Sequence, residues 1–440
     1  MKKTLLILLL TLALPAFLPC AALAAGGKIR FGNLAIVPSM GVDEIYDDNI
    51  YYDKHNKESD WITQFRPGLM LDYTIQGRGK FKLGYKGLFA YYSDNKDNDW
   101  KRHELFFDLN YLSPGGLIVK IKNSLVHSKD PYGGLNEYKL GRQTERWFND
   151  LKTEVGFKFS ERLRLLAYYN FYRQDYKNNS GIYSSGGYAN TGYNSMDIPY
   201  YYYGEDYNQD YYYNEAGLGV ETKVAHKTWA FLRYHNGRQN YFTHRNGVTS
   251  SNDASYDWQR VNTGLTWDDG GRYAGEINFG YQWNSHNNSR DRNGYRYKDH
   301  DNWIAGTRFI FRQNEGRKFI FTVQRELYQL EAGVSGYFRT TRFGIGVEQR
   351  IKSRFLVLLG YSLGKNKHKS EGYSANSPYF SDSRKDTVHR VTTSLKYEIK
   401  EWLIAGFEYN YFHNNSNDSY SGYKINRFGI SLDFKPAAYH

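Results

Sequence analysis

The chain has 440 residues, and 18% of them are aromatic, with 43 Tyr, 26 Phe and 9 Trp. A mean hydropathy of −0.73 excludes a bundle of apolar membrane helices, and the richness in aromatic residues argues against an all-α protein and against a disordered chain. The formal net charge of +12 would suit a polyanionic partner such as nucleic acid, unless the charges lie where such a partner cannot reach them.

The first 24 residues have the pattern of a secretory signal peptide. Lys2 and Lys3 form a positive amino end, an apolar stretch follows up to Leu18, and a small-x-small cleavage site ends at Ala24. We therefore predict that residues 1–24 are cleaved and that residues 25–440 form the exported protein. The single cysteine, Cys20, is lost with the signal peptide, which fits an oxidising compartment.

Beyond the signal peptide, apolar and polar residues alternate with a period of two along the whole chain. In one such segment Phe81, Leu83 and Tyr85 alternate with Lys82 and Lys86. Strict alternation over about ten residues predicts β-strands with one apolar and one polar face. About eighteen strands are predicted, near residues 33–46, 61–75, 81–92, 101–111, 117–126, 145–159, 163–175, 210–223, 228–235, 256–267, 272–283, 301–312, 318–327, 337–348, 354–363, 386–398, 402–412 and 424–434.

The connectors between these strands alternate between short and long. Short turns at 76–79 and 113–116 contrast with long polar segments at 127–144 and 176–209. Short turns at one end, long loops at the other and an even strand number predict an all-β protein, a single transmembrane antiparallel up-and-down β-barrel in the outer membrane of a Gram-negative bacterium. The alternative is a soluble periplasmic β-sandwich or propeller, but strands in soluble sheets average about five or six residues.

Charges of both signs occupy the polar faces, whereas the apolar faces carry few, with Arg325 and Arg339 as the main exceptions. A charge that faces lipid costs about 2–4 kcal/mol at the membrane midplane, so the charged faces are expected to line the lumen. The predicted lumen-lining residues are Lys82, Lys86, Glu104, Asp108, Lys120, Lys122, Lys152, Glu154, Arg164, Arg272, Glu276, Arg308, Arg342, Glu348, Arg390, Lys396 and Glu408.

A barrel of about eighteen strands is wide enough to hold an aqueous lumen. Basic groups along a low-dielectric tube concentrate anions, which predicts a mild anion preference. Alternatively, rows of opposite charge pair across the strands and mainly stiffen the wall. The acidic residues are interleaved with the basic ones, so the sequence leaves both interpretations open.

Two of the long connectors have compositions that suggest a role. The third, 127–144, contains a Pro-Tyr-Gly-Gly segment like that of porin loops that fold into the barrel, so Asp130, Tyr132 and Glu137 are candidates for a constriction; an ordinary outward turn is the alternative. The longest connector, 176–209, is rich in Tyr, Ser and Gly, a composition that suits contact with carbohydrate. Tyrosine is also enriched at membrane interfaces, which gives the plainer explanation.

The last predicted strand ends like the carboxy-terminal assembly signal of outer-membrane barrels. In that pattern a polar residue is followed by a glycine two positions on and then by hydrophobic residues that end in an aromatic one. Here the matching positions are Arg427, Gly429, Leu432 and Phe434. Residues 435–440 form a short tail beyond the signal, which is a departure from the pattern.

The amino end of the barrel carries a resemblance to a known family. The segment from Pro38 to Ile50, with Tyr-Asp-Asp-Asn at 46–49, and the following Pro-Gly-Leu at 67–69 are similar to the opening of the outer-membrane β-barrel porin family, type 2, often found in exopolysaccharide gene clusters. The resemblance implies an outer-membrane channel with a role in polysaccharide export. Asp47, Asp48 and Asn49 are either a polar loop start or hard oxygen ligands for a divalent cation.

Nothing in the sequence suggests catalysis. The twelve His are scattered, and no compact pair of nucleophile and base is visible. We expect no enzyme, no catalytic residue, no cofactor and no metal. Once the positive charge is assigned to the lumen, no nucleic-acid partner is expected either.

The expected partners are outer-membrane lipid and lipopolysaccharide, the barrel-assembly machinery during biogenesis, and saccharides or periplasmic export proteins. The function that fits best is a porin-like channel for hydrophilic solutes or saccharides with a charged, mildly basic lumen. The alternatives are a conduit of an exopolysaccharide export machinery and a structural or adhesive barrel that displays its Tyr-rich loops.

Overall fold

Antiparallel strands follow one another through nearly all of the chain that the computed structural model describes. The described residues are 29–129, 145–176, 210–242, 244–245, 248–249, 255–267, 271–287, 297–329, 336–370, 384–417 and 421–434. Helical structure among them is confined to one short 3₁₀ turn at Lys96–Asn98. No helix in these ranges is long and apolar enough to span a membrane.

The strands of the barrel wall are 12 to 16 residues long. In chain order, after a short strand β1 (Ile29–Phe31), they are β2 (Leu34–Asp47), β3 (Asp60–Ile75), β4 (Gly79–Tyr92), β5 (Trp100–Leu112), β6 (Leu117–Ser128), β7 (Arg146–Ser160), β8 (Leu163–Tyr176), β9 (Asp210–Ala225), β10 (Thr228–Phe242), β13 (Tyr256–Trp267), β14 (Tyr273–His286), β15 (His300–Asn314), β16 (Arg317–Gln329), β17 (Gly336–Ile351), β18 (Phe355–Ser370), β19 (Lys385–Lys400), β20 (Leu403–Ser416) and β21 (Tyr423–Phe434). Two further two-residue strands, β11 (His244–Arg245) and β12 (Val248–Thr249), pair with each other in the connector after β10.

The sheet closes on itself. Each wall strand pairs with its neighbours in the chain, and β2 pairs with both β3 and the last strand, β21, which makes a closed barrel of eighteen strands. The predicted fold class and strand number are therefore confirmed. Strand β1 is an addition to the wall, because it pairs only with the start of β2, at Leu34 to Ile36.

All the short turns lie at the same end of the barrel. Turns of two or three residues join β3 to β4, β7 to β8, β9 to β10 and β17 to β18. Several of them use positive φ angles, among them Gly77 at 73° and Lys352 and Ser353 at 48° and 58°, which is the backbone geometry of tight hairpin turns. The longer connectors lie at the opposite end, as predicted.

Alternation along the strands divides the wall into two faces. The apolar face carries large hydrophobic side chains that are exposed in the isolated chain, including Leu105, Leu218 and Phe279 at 54, 67 and 57%. The opposite, charged face carries Lys82 and Glu104 together with most of the other ionisable strand residues. In a closed barrel, one of these two faces is the outer surface and the other surrounds the interior.

The first long connector folds over the charged face. Ile50, which follows β2, is 4% exposed and packs against Ile62, Ala90 and Tyr92. These side chains lie on the charged face of β3 and β4, near the end where the long connectors emerge. This connector therefore folds back over the charged face at the long-connector end of β3 and β4.

Candidate functional site

On the charged face of β4 to β7, positive and negative side chains alternate from strand to strand. Lys86 Nζ lies 3.6 Å from Glu104 Oε1, and Lys120 Nζ lies 2.8 Å from Glu154 Oε1. These pairs are partly exposed, and an exposed ion pair contributes only about 0.2–1 kcal/mol. The remaining predicted residues here are Lys82, opposite Asp72 and Asp108, Lys122, 4.0 Å from Asp108, and Lys152, 2.8 Å from Asp150.

A more buried group of charges lies on β8, β9, β10 and β14. Arg233 Nη2 and Nη1 lie 3.1 Å from Glu221 and 2.9 Å from Glu276, and its guanidinium stacks 3.8 Å above the Phe231 ring. Arg164 Nη1 is 3.7 Å from the other Glu221 oxygen. The Glu221 side chain is only 6% exposed, so this carboxylate depends on its two arginine partners.

Arg233 is absent from the predicted lining because the hydrophobic alternation of β10 does not indicate which face of the strand is polar. Trp229 and Phe231 are 2% and 3% exposed and share the charged face with Arg233, while Leu232 lies on the apolar face. Both faces of this strand therefore look apolar in sequence. The signal that could have identified Arg233 is its register opposite Gly219 and Asn262, two polar-face positions of the neighbouring strands.

From β13 to β19 the pairing changes. In this part of the described chain a set of basic side chains on the charged face forms no ion pair, although Arg308 lies directly opposite Glu276, whose carboxylate pairs with Arg233. Arg342 Nη1 reaches only the Gln324 oxygen, at 3.5 Å, and the Arg390 guanidinium lies 5.2 Å from the Phe412 ring. The members of the set are Arg260, Arg272, Arg308, Arg312, Arg342, Arg390 and Lys396.

Acidic side chains are fewer in the same region. Of the predicted ones, Glu276 pairs with Arg233 and Glu348 lies 2.8 Å from Lys318, while Glu408, on the following strand β20, accepts a hydrogen bond from Asn410. The charged face is therefore unequal around the barrel. Most of its cations on β4 to β9 have an acidic partner, whereas on β13 to β19 the pairs Lys318–Glu348 and Arg350–Glu398 stand beside the larger set of unpaired cations.

Aromatic rings line the charged face near the ends of the strands that lead into the long connectors. Tyr172 stacks on Phe148 and Tyr211, with ring centroids 6.1 and 5.5 Å apart, and Tyr213 stacks on Trp258 at 5.8 Å. Comparable stacks recur on the later strands, between Tyr328 and Phe338, Phe338 and His368, Phe412 and Tyr423, and Tyr423 and Tyr52.

The junction between the first and last barrel strands is fastened by the Asp47-Asp48-Asn49 segment. Arg427 Nε donates to Asp47 Oδ2 at 2.5 Å, and the backbone and side-chain nitrogens of Asn426 both donate to Asp48 at 2.7 Å. The Asn49 side-chain amide donates to the carbonyl of Lys424 at 3.0 Å. These polar atoms thus bind the protein itself, which is the geometry of a clamp across the junction.

A second fastening of the same junction involves an arginine that the sequence interpretation did not single out. Arg66 on β3 reaches past Gly41 on β2 to Asp433 on β21, with a donor distance of 3.0 Å, and also donates to Asp43 at 2.5 and 2.6 Å. A Cβ on residue 41 would lie 2.8 Å from the Arg66 guanidinium. The glycine therefore makes room for this ion pair.

The residues of the predicted assembly signal lie on the closing strand. Arg427 belongs to the clamp, Gly429 lies opposite Ile45, Leu432 lies opposite Val42, and Phe434 lies opposite Met40. The candidate constriction residues Asp130, Tyr132 and Glu137, the Tyr-rich connector, the signal peptide and the tail at 435–440 lie outside the described residues. Within the described ranges, no group of three His, Cys, Asp or Glu side chains could hold a metal ion.

Comparison with known proteins gives a family match over most of the chain. The family model described as Putative beta-barrel porin 2 matches residues 23–436. No curated protein sequence matches the chain.

Several solved structures align with most of the chain at low identity. OpdK of Pseudomonas aeruginosa, solved with vanillate, aligns with a TM-score of 0.46 and 12% identity over 91% of this chain and 98% of that one. OpdO of the same organism aligns with a TM-score of 0.45 and 12% identity over 92 and 98%. The outer membrane channel DcaP of Acinetobacter baumannii aligns with a TM-score of 0.41 and 10% identity over 91 and 96%.

Proposed function

The chain belongs to the Putative beta-barrel porin 2 family and is a porin-like channel of the outer membrane, not an enzyme, and we propose that its charged face lines an aqueous lumen that passes hydrophilic solutes and favours anions and saccharides. The observation that carries the proposal is the set of unpaired basic side chains on β13 to β19.

The orientation of the two faces follows from solvation energies. Turning the charged face outward would place many ionisable side chains in lipid, at about 2–4 kcal/mol for each Arg or Lys near the midplane. Turning it inward leaves those side chains in water and brings the exposed leucines and aromatics of the apolar face into contact with acyl chains. A barrel of eighteen strands has room for water inside.

Anion preference follows from the unequal pairing. An ion pair is nearly neutral at a distance, so the paired wall of β4 to β9 contributes little field. The unpaired Arg260, Arg308, Arg342 and Arg390 supply a net positive potential on the opposite part of the wall. Such a potential raises the local concentration of anions and their rate of association with the channel.

A saccharide preference is supported by the half-buried rings near the mouth. Tyrosine and tryptophan faces pack against the C–H faces of sugar rings, while their polar atoms remain available for hydrogen bonds. The stacks around Tyr172, Tyr213 and Tyr423 lie on the face that we assign to the lumen. They would give a sugar chain several successive contacts on its way through.

The experiment is single-channel recording of the refolded protein in a planar bilayer with a KCl gradient. We expect steady openings and a chloride-to-potassium permeability ratio above one, falling towards one in the double variant Arg342→Gln/Arg390→Gln. The matched control is Lys352→Gln/Lys400→Gln, which removes the same charge at the short-turn end of the wall and should leave the ratio unchanged.

A wild-type ratio at or below one would overturn the anion preference. Absence of openings from a correctly folded barrel would overturn the open lumen. Added malto-oligosaccharides should block the current, and the block should weaken in Tyr172→Ala and Tyr213→Ala if the rings contact sugar.

Export of a polysaccharide is the second candidate function, and the same rings favour it over transport of small ions. It would need a periplasmic partner to supply the polymer. Block by long but not by short oligosaccharides would favour export, whereas equal block by both would favour passive diffusion of small sugars.

A further inference from the structure

A row of basic side chains interrupts the apolar face near the long-connector end of β16 to β19. Arg339 on β17 lies directly opposite Lys367 on β18, which in turn lies directly opposite Lys385 on β19. One step nearer the middle of the wall, Arg325 on β16 and Lys365 on β18 flank Thr341. We call these five residues the outer cationic patch: Arg325, Arg339, Lys365, Lys367 and Lys385.

Directly opposed charges of the same sign destabilise a sheet, so the row Arg339, Lys367 and Lys385 is not explained by folding. No carboxylate among the described residues forms an ion pair with any member of the patch. Lys365, Lys367 and Lys385 are exposed. The patch therefore presents positive charge without an acidic partner on a face that is mostly apolar.

Two arginines elsewhere on the apolar face do have acidic partners. Arg173 Nε lies 2.8 Å from Asp175, and Arg238 Nε lies 3.5 Å from Asp257. Both of these pairs lie near the long-connector ends of their strands, on β8, β10 and β13. Lys101 and Lys424 on the same face also form no ion pair among the described residues, so the outer cationic patch is distinguished by its three basic side chains in direct register on adjacent strands.

The patch lies at the depth where lipid headgroups begin. On β18 the apolar face runs through Val357, Leu359, Tyr361 and Leu363 before the first lysine, Lys365. From Phe355 to Lys365 the strand rises about 3.3 Å per residue, and a tilt of about 40° leaves a height of roughly 25 Å, which matches the apolar band of an outer-membrane barrel.

One member of the patch is held in place before any ligand binds. The Arg325 guanidinium lies 3.8 Å from the Trp303 ring centroid and donates to the Trp303 carbonyl at 3.3 Å. It also donates to Thr341 Oγ1 at 3.0 Å and to Asn302 Oδ1 at 3.2 Å. These contacts use three of its five N–H groups, so two remain for an external acceptor.

We propose that the outer cationic patch binds the phosphate groups of lipopolysaccharide in the outer leaflet. The inference rests on the proposed orientation, with the apolar face outward. Phosphates are the anionic groups available at that depth, and opposed basic side chains on adjacent strands can bind one phosphate from two or three sides. The long acyl chains would then lie along the leucines and aromatics below the patch.

The test uses the full-length exported protein, delipidated in detergent, with bis-phosphorylated lipid A as the probe and its dephosphorylated form as the second ligand. Binding is measured by native mass spectrometry as bound lipid per barrel. The test variant is Arg339→Gln/Lys367→Gln/Lys385→Gln. The control, Arg317→Gln/Lys352→Gln/Lys400→Gln, removes the same charge at the short-turn ends of the same strands.

One basic group near a charged membrane surface changes the affinity about fivefold, so the test variant should bind bis-phosphorylated lipid A roughly 100-fold more weakly than the wild type. The control should bind like the wild type, and the dephosphorylated lipid should bind weakly to all three. A charge-preserving variant, Arg339→Lys, should retain binding, which would show that the positive charge at this position is what the lipid requires.

Equal binding by the test variant and the wild type would overturn the proposal, as would equal binding of the two lipids. Lipid-free dimers that disappear in the test variant would assign the patch to a second copy of the chain instead. Neither result depends on conductance, so a silent channel with intact lipid binding would count against the proposed function alone.

Discussion

Asp47 and Arg427 show how much of the barrel junction depends on a few side chains. Asp47 is 1% exposed and accepts hydrogen bonds from Arg427 and from the backbone of Asn49. Removing one partner of a buried pair leaves the other charge desolvated, which costs more than the pair contributes. The two residues are therefore a sensitive point of the fold.

We expect Arg427→Gln to lower the free energy of unfolding by about 3 kcal/mol, because the Asp47 carboxylate stays buried without its cation. The measurement is urea unfolding of the refolded barrel, followed by tryptophan fluorescence. The double variant Asp47→Asn/Arg427→Gln should recover part of the loss, and an unchanged midpoint in the single variant would contradict the clamp.

Arg233 is a second such position. We expect Arg233→Gln to cost about 2–4 kcal/mol, since Glu221 and Glu276 then face each other without their shared cation. Arg173→Gln, which removes a partly exposed pair, should change stability by less than about 1 kcal/mol in the same urea titration. Similar losses in both variants would show that burial is not what makes Arg233 important.

At the scale of the strands, close packing between neighbours restricts some positions to glycine. Gly275 on β14 has a φ of 112°, and a Cβ there would lie 1.8 Å from the Arg308 carbonyl oxygen on β15. Gly360 on β18 has only ordinary contacts, the nearest at 3.8 Å. The two glycines are therefore unequal, although both lie within wall strands.

We expect Gly275→Ala to destabilise the barrel by about 2–3 kcal/mol, because strain at a positive φ adds to the clash with β15. Gly360→Ala should be within about 1 kcal/mol of the wild type. The comparison is made by the urea midpoint and by the fraction that stays folded on unheated gels. A cost at Gly360 as large as that at Gly275 would contradict the geometric reason.

The first long connector offers a functional test at the same scale. Ile50→Asn should release the connector from Ile62 and Ala90, since a buried amide without a partner costs about 1–3 kcal/mol. In the proposed orientation the connector covers part of the mouth, so the released form should show larger or noisier single-channel currents. Unchanged current with a protease-sensitive connector would mean that it does not narrow the path.

The sequence predicts the positions of the strands well, but it predicts poorly where they end on the side of the long connectors. β10 was expected at 228–235 but extends to Phe242, and β18 was expected at 354–363 but extends to Ser370. In the proposed orientation, hydrophobic alternation ends where the lipid ends, whereas backbone hydrogen bonding continues into the polar zone above it. Lys365 and Lys367 therefore belong to a strand but carry no apolar signal.

The same reasoning explains what was missed in the candidate site. Residue type and period indicate which face a side chain occupies, and this was enough to propose a lining. They do not indicate which charge meets which partner, because Arg66 reaches Asp433 across 367 positions of sequence. The division into a paired and an unpaired part of the wall needs the cross-strand register.

For the whole molecule, the unequal wall predicts a selectivity that depends on salt. The Debye length falls from about 10 Å at 0.1 M to about 3 Å at 1 M salt, so the field of the unpaired arginines reaches less of the lumen in strong salt. We expect the chloride-to-potassium permeability ratio to fall towards one between 0.1 and 1 M KCl. A ratio that does not change with salt would indicate selection by direct contact at one narrow point.

The junction of β2 and β21 also determines where the barrel is expected to open first during thermal unfolding. Only eight residue pairs, Met40 with Phe434 to Asp47 with Arg427, join these strands, whereas β2 and β3 share fourteen. β1 covers Leu34 to Ile36, which leaves Val37 to Ser39 uncovered on that side of β2. On heating, the wall should therefore part first along this short seam, starting at the gap near Pro38 and running towards the clamp at Asp47.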